Sequence, residues 1–236
     1  MDFAGRSIVL TGVGREGQVG EAVAAAFADL GARVFLVDRQ ENDARARADA
    51  LVKAGKRAAG LGVDLTDENA VAALAERVRD ATGGRVHAVV HLAGGFTASG
   101  PVAESDASLW SRQFSLNATT AYLTARAFLP LLRAAKGSIV FFASEAILAG
   151  GRTAGLSAYA ASKSAVVALM QSISQEEAPR GVRANAVAPT SIRTAVNIAA
   201  MGPDVAYVSR EDVAKVVLWL CSEDARAVSG QVIPVR

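Results

Sequence analysis

Residues 7–20 read Ser-Ile-Val-Leu-Thr-Gly-Val-Gly-Arg-Glu-Gly-Gln-Val-Gly, an apolar run followed by a glycine-rich loop. The run from Ser7 to Thr11 is typical of a buried parallel strand, and the residues from Glu21 to Leu30 have the spacing of an amphipathic helix. A strand, a glycine-rich loop and a helix in this order bring backbone N–H groups and a helix N-terminus against a pyrophosphate. The stretch therefore predicts a nucleotide-binding unit, although a glycine-rich loop alone is also compatible with a plain tight turn.

A second predicted strand, from Arg33 to Val37, ends at Asp38. An acidic side chain about twenty residues beyond such glycines is placed to accept hydrogen bonds from the adenosine ribose, and it would repel a 2′-phosphate. Arg15 and Arg39 favour NADP, the cofactor that carries this phosphate, because either side chain could reach it. Asp38 is the direct obstacle, so the sequence favours NAD while leaving NADP open.

Strands and helices alternate through the rest of the chain. Helices are predicted at 40–54, 68–81 (with Thr66 as a candidate cap), two stretches within 107–133, 159–177 and 210–221, and strands at 58–63, 86–92, 137–143, 182–188 and 231–235. This alternation predicts an α/β protein with a parallel sheet covered by helices on both faces. Ligands of such sheets lie beyond the carboxyl ends of the strands.

Composition narrows the class of protein. The chain has 236 residues, of which 51% are hydrophobic and 20% charged, and this suits one α/β domain with a sizeable core. A formal net charge of +2 gives no reason to expect nucleic-acid or membrane partners. No apolar stretch of 18 residues and no signal segment is found. The single cysteine, Cys221, rules out an intrachain disulfide, so a cytoplasmic protein is the simplest expectation.

The sequence Tyr159-Ala-Ala-Ser-Lys163 carries the chemical prediction. Side chains four residues apart share one face of a helix. A phenol ordinarily has a pKa of about 10, and an ammonium beside it favours the phenolate, so Lys163 would adapt Tyr159 to acid–base catalysis. The pair alone is weak evidence, because a core tyrosine beside an extended lysine gives the same pattern. Ser144 adds a hydroxyl at the carboxyl end of the predicted fifth strand, where a cofactor is expected.

Three motifs in this order resemble the short-chain dehydrogenase/reductase family. They are the glycine-rich loop, Ser144 ahead of Tyr159-x-x-x-Lys163, and Arg183-Ala-Asn-Ala-Val-Ala-Pro189. The resemblance covers essentially the whole chain. It implies a single Rossmann domain over residues 1–236 with a doubly wound, seven-stranded parallel sheet, an NAD(P) cofactor, and assembly as a homotetramer or homodimer.

The resemblance also implies roles for individual residues. Ser144 would polarise a substrate carbonyl, Tyr159 would exchange its proton, Lys163 would hold the nicotinamide ribose, and Asn117 would support a water-mediated proton relay through Lys163. From residue pattern and resemblance together, the expected cofactor contacts are Gly12, Gly14, Gly17, Gln18, Val19, Gly20, Asp38, Arg39, Asp64, Leu65, Ala93, Gly94, Gly95, Tyr159, Lys163, Pro189, Ile192 and Thr194.

Several assignments stay open at this point. The glycine-rich loop is two residues longer than the family pattern, so Gly12 and Gly20 are the firmer phosphate contacts, and the choice among Gly14, Gly17 and Gln18 is unsettled. Asp64 could contact the adenine edge or hold a turn. Ser157 is a minor alternative to Ser144 as the polarising hydroxyl.

The predicted reaction is hydride transfer between nicotinamide and a secondary alcohol or ketone. Residues 190–209 would form a short substrate lid over a mostly apolar, open pocket. The residues expected to line this pocket are Phe96, Ile147, Leu156, Val196, Ile198 and Met201. Alternatives are a dihydropteridine-reductase-like reduction of a quinonoid substrate, a catalytically silent NAD(H)-binding regulator, and a structural subunit. The joint presence of Ser144, Tyr159, Lys163 and Asn117 favours an enzyme.

Overall fold

A seven-stranded parallel sheet forms the centre of the molecule, and the computed structural model describes residues 1–236. The strands are β1 (Ser7–Thr11), β2 (Arg33–Asp38), β3 (Arg57–Gly62), β4 (Ala88–His91), β5 (Ser138–Phe142), β6 (Arg183–Pro189) and β7 (Val232–Val235). Their spatial order is β3-β2-β1-β4-β5-β6-β7. The chain builds outward from β1 to one edge and then crosses over to β4. The crevice between β1 and β4 is therefore the topological switch point, where ligands of such sheets bind. The predicted doubly wound parallel sheet is confirmed.

Helices cover both faces of the sheet. They are α1 (Val19–Asp29), α2 (Glu41–Lys53), α3 (Glu68–Thr82), α4 (Ala107–Phe114), α5 (Thr120–Ala135), α6 (Ser157–Glu177), α7 (Ala195–Met201) and α8 (Arg210–Cys221). One apolar layer lies between the sheet and α3, α5 and α6, where Leu74, Phe128 and Met170 are fully buried. The other lies under α1 and α8, around Phe27 and Leu220. No helix combines the length and apolar composition needed to cross a bilayer.

One local prediction is wrong. The N-cap of α3 is Asp67, not Thr66, because the Asp67 carboxylate accepts hydrogen bonds from the N–H groups of Asn69 and Ala70. The Thr66 hydroxyl instead donates to Asp64 at 2.7 Å. The segment 190–209, predicted as a short substrate lid, contains α7, whose N-cap is Thr194. A helix of only seven residues is too short to show a clear apolar period.

The packing of α2 on β3 provides a test of the fold. A Cβ atom at Gly60 would lie 2.5 Å from the backbone carbonyl of Ala44, so α2 contacts the strand only because residue 60 has no side chain. We expect Gly60→Ala to lower the free energy of unfolding by about 1–3 kcal/mol through overpacking. Urea denaturation followed by circular dichroism measures this, and an unchanged midpoint would contradict the described packing.

Candidate active site

The loop after β1 lies directly against the loop after β4. Gly12 has a φ of +75°, and a Cβ atom there would lie 2.7 Å from both N and Cα of Ala93. Gly20 at the start of α1 is equally constrained, because its Cβ would lie 2.9 Å from the Gly12 carbonyl oxygen. Glycine at these two positions therefore brings the α1 N-terminus and both loops together at the switch point.

The N-terminus of α1 has the donors that a pyrophosphate requires. Gln18, its N-cap residue, makes no side-chain capping bond, and the N–H groups of Val19 and Gly20 donate to no protein acceptor. The N–H of Gly17, in contrast, donates to the Glu21 carboxylate at 2.7 Å. Free N–H groups at a helix N-terminus fit a dinucleotide diphosphate, and the donors available for it are those of Val19 and Gly20 rather than that of Gly17.

Asp38 is held at the carboxyl end of β2 beside the glycine-rich loop. Its carboxylate accepts hydrogen bonds from the N–H of Gly14 at 2.9 Å and from that of Gln40 at 3.1 Å. A Cβ atom at Gly14 would lie 2.6 Å from the Asp38 carboxyl carbon. Arg15 and Arg39 are exposed, and neither forms an ion pair with Asp38. The negative charge therefore faces the nucleotide cleft from a defined position.

The loop after β3 uses Asp64 to hold a turn. Its carboxylate accepts from the N–H and the hydroxyl of Thr66, at 2.9 and 2.7 Å, and these bonds hold the pKa of Asp64 below its usual value. The side chain of Leu65 is buried in the core, so only its main chain could reach a nucleotide. The turn interpretation of Asp64 is confirmed, while the adenine contact stays a prediction.

Tyr159 and Ser144 meet where β5 ends and α6 begins. Burial raises the pKa of the Tyr159 phenol, and hydrogen bonding with the Ser144 hydroxyl acts in the opposite direction. The Phe96 ring lies edge-on to Tyr159, with 5.0 Å between centroids. The alternative hydroxyl, that of Ser157, lies 3.2 Å from the hydroxyl of Ser99. Of these two serines, Ser144 is therefore the one within hydrogen-bonding reach of the phenol.

Lys163 is buried on the same side of α6. Its Nζ donates to the Phe142 carbonyl at 2.8 Å and lies 6.0 Å from the centroid of the Tyr159 ring. Burial lowers the pKa of Lys163 to about 8. The sequence predicted that this lysine would lower the pKa of the phenol. Burial raises the pKa of the Tyr159 phenol, and the ammonium is directed at a carbonyl, so the lowering of the phenol pKa by Lys163 stays a prediction.

Asn117 lies in a π-helical turn, Ser115–Thr119, that joins α4 to α5. Its buried amide accepts from the N–H of Gly95 at 2.9 Å and donates to the Ser162 hydroxyl at 3.0 Å, which ties the loop after β4 to α6. A Cβ atom at Gly94 would lie 2.6 Å from Asn117 Oδ1 and 3.3 Å from Lys163 Nζ. Asn117 and Lys163 therefore converge beneath Gly94, as a shared role would require. π-helical turns are frequent at functional sites.

The segment after β6 borders the cleft. Beyond Pro189, Ile192 forms an isolated parallel bridge with Val208, and the Thr194 hydroxyl accepts from the N–H of Asn197 at 3.1 Å to begin α7. Three large apolar side chains on the segments that follow β4 and β6 are exposed: Phe96 (64%), Val196 (52%) and Met201 (45%). Leu156 and Ile147 are partly buried. The open, apolar pocket expected from the sequence stays a prediction.

His91 lies beneath the site. In the sequence His87 and His91 alternate along one predicted strand, which favours core or surface histidines over a metal-binding pair. In the structure His91 is 2% exposed, with Nδ1 3.1 Å from the Thr11 hydroxyl and Nε2 3.2 Å from the Thr120 hydroxyl. Burial lowers the pKa of His91 to about 3, and the charge of Lys163 acts in the same direction. The neutral imidazole links β1, β4 and α5. The interpretation of His91 as a core histidine is confirmed. Its role in linking these elements depends on the pairing of Thr11 with His91 across the sheet, which the sequence does not show.

The switch-point crevice, the free helix N-terminus and the Ser144–Tyr159–Lys163 group define an oxidoreductase of the nicotinamide-dinucleotide class. A family model described as "Enoyl-(Acyl carrier protein) reductase" matches residues 12–236. The chain is 32% identical to 2-(S)-hydroxypropyl-CoM dehydrogenase 3 of Xanthobacter autotrophicus, over 97% of this chain and 94% of that protein. It is 33% identical to L-fucose dehydrogenase of Oryctolagus cuniculus, over 89% and 71%.

A solved structure gives the same result. A short-chain type dehydrogenase/reductase from Mycobacterium ulcerans matches with a TM-score of 0.91 and 31% identity, covering 100% of this chain and 90% of that one. The chain belongs to the short-chain dehydrogenase/reductase family.

The buried His91 predicts a pH dependence of stability. The pKa of His91 is about 3 in the folded protein and about 6.5 when it is exposed, so between these values the unfolded chain binds a proton that the native chain does not. This contribution to stability is present above pH 6.5 and is lost as the pH falls, at about 1.4 kcal/mol per pH unit. We expect the stability of His91→Gln to fall less than that of the wild type between pH 7 and pH 5. Urea denaturation midpoints at the two pH values measure this difference. An equal loss of stability in the two proteins would contradict this role of His91.

Proposed function

We propose that this protein is an NAD-preferring dehydrogenase/reductase that interconverts a secondary alcohol and a ketone. One observation carries the proposal: the Ser144 hydroxyl, the Tyr159 phenol and the Lys163 ammonium meet at the carboxyl edge of the sheet, with Asn117 beside the lysine. A binding protein or a structural subunit would need the glycine-rich loop or the helix faces, but would have no use for this group of proton donors.

The side chains suggest how protons are handled. A bound nicotinamide would supply the hydride chemistry. The protein would orient the substrate oxygen between the Ser144 hydroxyl, which donates a hydrogen bond, and the Tyr159 phenol, which gives or takes the proton. Because burial raises the pKa of Tyr159, the phenol is protonated at neutral pH and is prepared to act as an acid towards a carbonyl. Alcohol oxidation needs the phenolate, so its rate should rise with pH.

Preference for NAD is proposed from Asp38. Its carboxylate is fixed by Gly14 and Gln40 at the position where the adenosine ribose would lie, and a 2′-phosphate there would meet a negative charge. Arg15 and Arg39 remain close enough in sequence to serve NADP if that charge were removed.

The chemistry of the pocket supports a small carbonyl or alcohol substrate with apolar substituents. Phe96, Val196 and Met201 are exposed on the segments that follow β4 and β6, and two relatives of the chain are named as dehydrogenases. The family model is described by enoyl reduction, which requires a conjugated double bond beside the nicotinamide. Ser144 and Tyr159 both act on one oxygen position, and this favours a carbonyl reaction.

We further propose assembly into a homodimer or homotetramer. Trp110 on α4 and Tyr122 on α5 are 48% and 50% exposed on consecutive helices, and large exposed aromatic side chains are typical of interfaces. Light scattering after gel filtration would give the state directly.

Cofactor preference can be tested at Gly14, because the geometry there is specific. Gly14→Ala adds a methyl group against the Asp38 carboxylate, and residue 14 does not need a left-handed backbone conformation. We expect it to displace Asp38, raise the KM for NAD at least tenfold and reduce the preference for NAD over NADP, with little change in Tm. Asp38→Ser should shift preference towards NADP further. Initial rates with both cofactors measure this, and an unchanged ratio in both variants would exclude Asp38 as the determinant.

The catalytic assignment is tested by Tyr159→Phe. Loss of the phenol hydroxyl should lower kcat by a factor on the order of 10²–10⁴, the usual contribution of a general acid or base, and leave NADH binding nearly unchanged. Tyr122→Phe is the matched control, since Tyr122 is a half-exposed tyrosine on α5. The assay is a panel of secondary alcohols, ketones and a quinonoid pterin, followed at the NADH absorbance band. Near wild-type turnover by Tyr159→Phe would overturn the assignment, and no turnover of any compound by the wild-type chain would favour the silent regulator.

A further inference from the structure

A large cavity lies at the edge of the sheet opposite the candidate active site, where β4, β5 and β6 begin. Its volume is about 780 Å³, and we call it the basal cavity. His87, Ser138 and Arg183, at or next to the first residues of these strands, form part of its wall, and Cys221 at the end of α8 forms another part. The nucleotide cleft is at the carboxyl ends of the strands, so the two sites are separated by the length of the sheet.

The wall of the basal cavity is strongly basic. Its charged residues are Arg6, Arg85, Lys136, Arg183, Arg226 and Glu223. The whole chain has 25 basic and 23 acidic residues and a net charge of only +2. The wall of the basal cavity therefore holds five cations and one carboxylate, a local excess of positive charge that the nearly balanced composition of the chain does not explain.

Contacts within the protein account for two of the five cations. Arg183 donates to the carbonyls of Leu220 and Ser222 at 2.7 and 3.0 Å, and so completes the C-terminus of α8. Arg6 lies 3.4 Å from Glu223.

The side chains of Arg85, Lys136 and Arg226 make no ion pair and donate to no acceptor in the protein. Three cations therefore line one cavity without a partner.

Two further observations point to a ligand. The Ser138 hydroxyl is in the cavity wall, is 1% exposed and has no hydrogen-bond partner apart from the neighbouring Cys221 thiol, which is a weak one. Lys136 has a φ of +49° and is the one non-glycine residue with a positive φ. Glycine is the usual residue at such a helix end, so the chain holds an ammonium at the cavity rim in a conformation that disfavours a side chain.

We infer that the basal cavity binds a compact polyanion, a small molecule that carries at least two phosphate groups. Guanidinium groups bind phosphate oxygens in bidentate fashion, and a lysine contributes a further point charge. A cavity of this volume is within the range of small-molecule sites. A single carboxylate would leave most of the cationic charge unpaired.

The two histidines of the chain allow the location of binding to be tested. His87 lines the basal cavity, and burial, together with the charges of Arg6 and Arg85, lowers its pKa. His91 lies beneath the nucleotide cleft. Inorganic pyrophosphate titrated into the full-length protein in low salt should shift the imidazole NMR signals of His87 and raise its pKa, because the anion offsets the neighbouring cations. The signals of His91 should not move.

Variants distinguish specific binding in the basal cavity from a nonspecific attraction of anions to the positive charge of the protein. Calorimetric titration with pyrophosphate should show at least a tenfold weaker Kd for Arg85→Ala/Lys136→Ala. The double control Lys53→Ala/Arg77→Ala removes the same charge at exposed positions outside the cavity and should bind as the wild type does. Arg85 and Lys136 are exposed, so the double variant is expected to keep the wild-type Tm.

Three results would overturn the inference. They are the absence of a His87 shift, a pyrophosphate response at His91 in place of His87, and equal weakening by the control pair. Retention of the His87 shift when NADH is saturating would support two separate sites. Dehydrogenase turnover is not needed for any of these measurements, so their failure is distinguishable from failure of the proposed function.

Discussion

The close approach of two loops at the switch point is the constraint on which the site depends. The loop after β1 meets the loop after β4 at Gly12 and Ala93, with no space for a Cβ atom. This contact brings the free N–H groups of α1 next to the loop that carries Gly94. Beneath Gly94, Asn117 and Lys163 converge from two different helices. One backbone contact therefore brings the N-terminus of α1 close to Asn117 and Lys163.

Buried polar groups stabilise this arrangement at several depths. The Asn117 amide ties Gly95 to Ser162, and His91 links Thr11 to Thr120 one layer below. Each group satisfies partners on elements that are distant in sequence, so its loss would leave several donors or acceptors unpaired. The same low-polarity surroundings lower the pKa of Lys163 and raise that of Tyr159. The burial of these polar groups thus both holds the elements together and shifts the pKa values of Lys163 and Tyr159.

The two ends of the sheet have opposite electrostatic character. The carboxyl edge has a helix N-terminus with free donors, a fixed carboxylate at Asp38 and one buried ammonium. The amino edge gathers helix C-termini, where basic side chains are favoured, but it holds more cations than those carbonyls use. The proposed dehydrogenase site and the inferred polyanion site are therefore parts of one fold with separate chemistry.

The sequence by itself determined the parallel sheet, the order of its elements, the glycine-rich loop, and the Ser144, Tyr159 and Lys163 group. These follow from local patterns: apolar runs, glycine spacing and a four-residue helical interval. It could not decide that Asp67 rather than Thr66 caps α3, that Gly17 is engaged by Glu21, that His91 joins two threonines, or that burial raises the pKa of Tyr159. Those outcomes depend on which groups from distant segments come within bonding distance and how much water is excluded around them. Only the tertiary structure decides both.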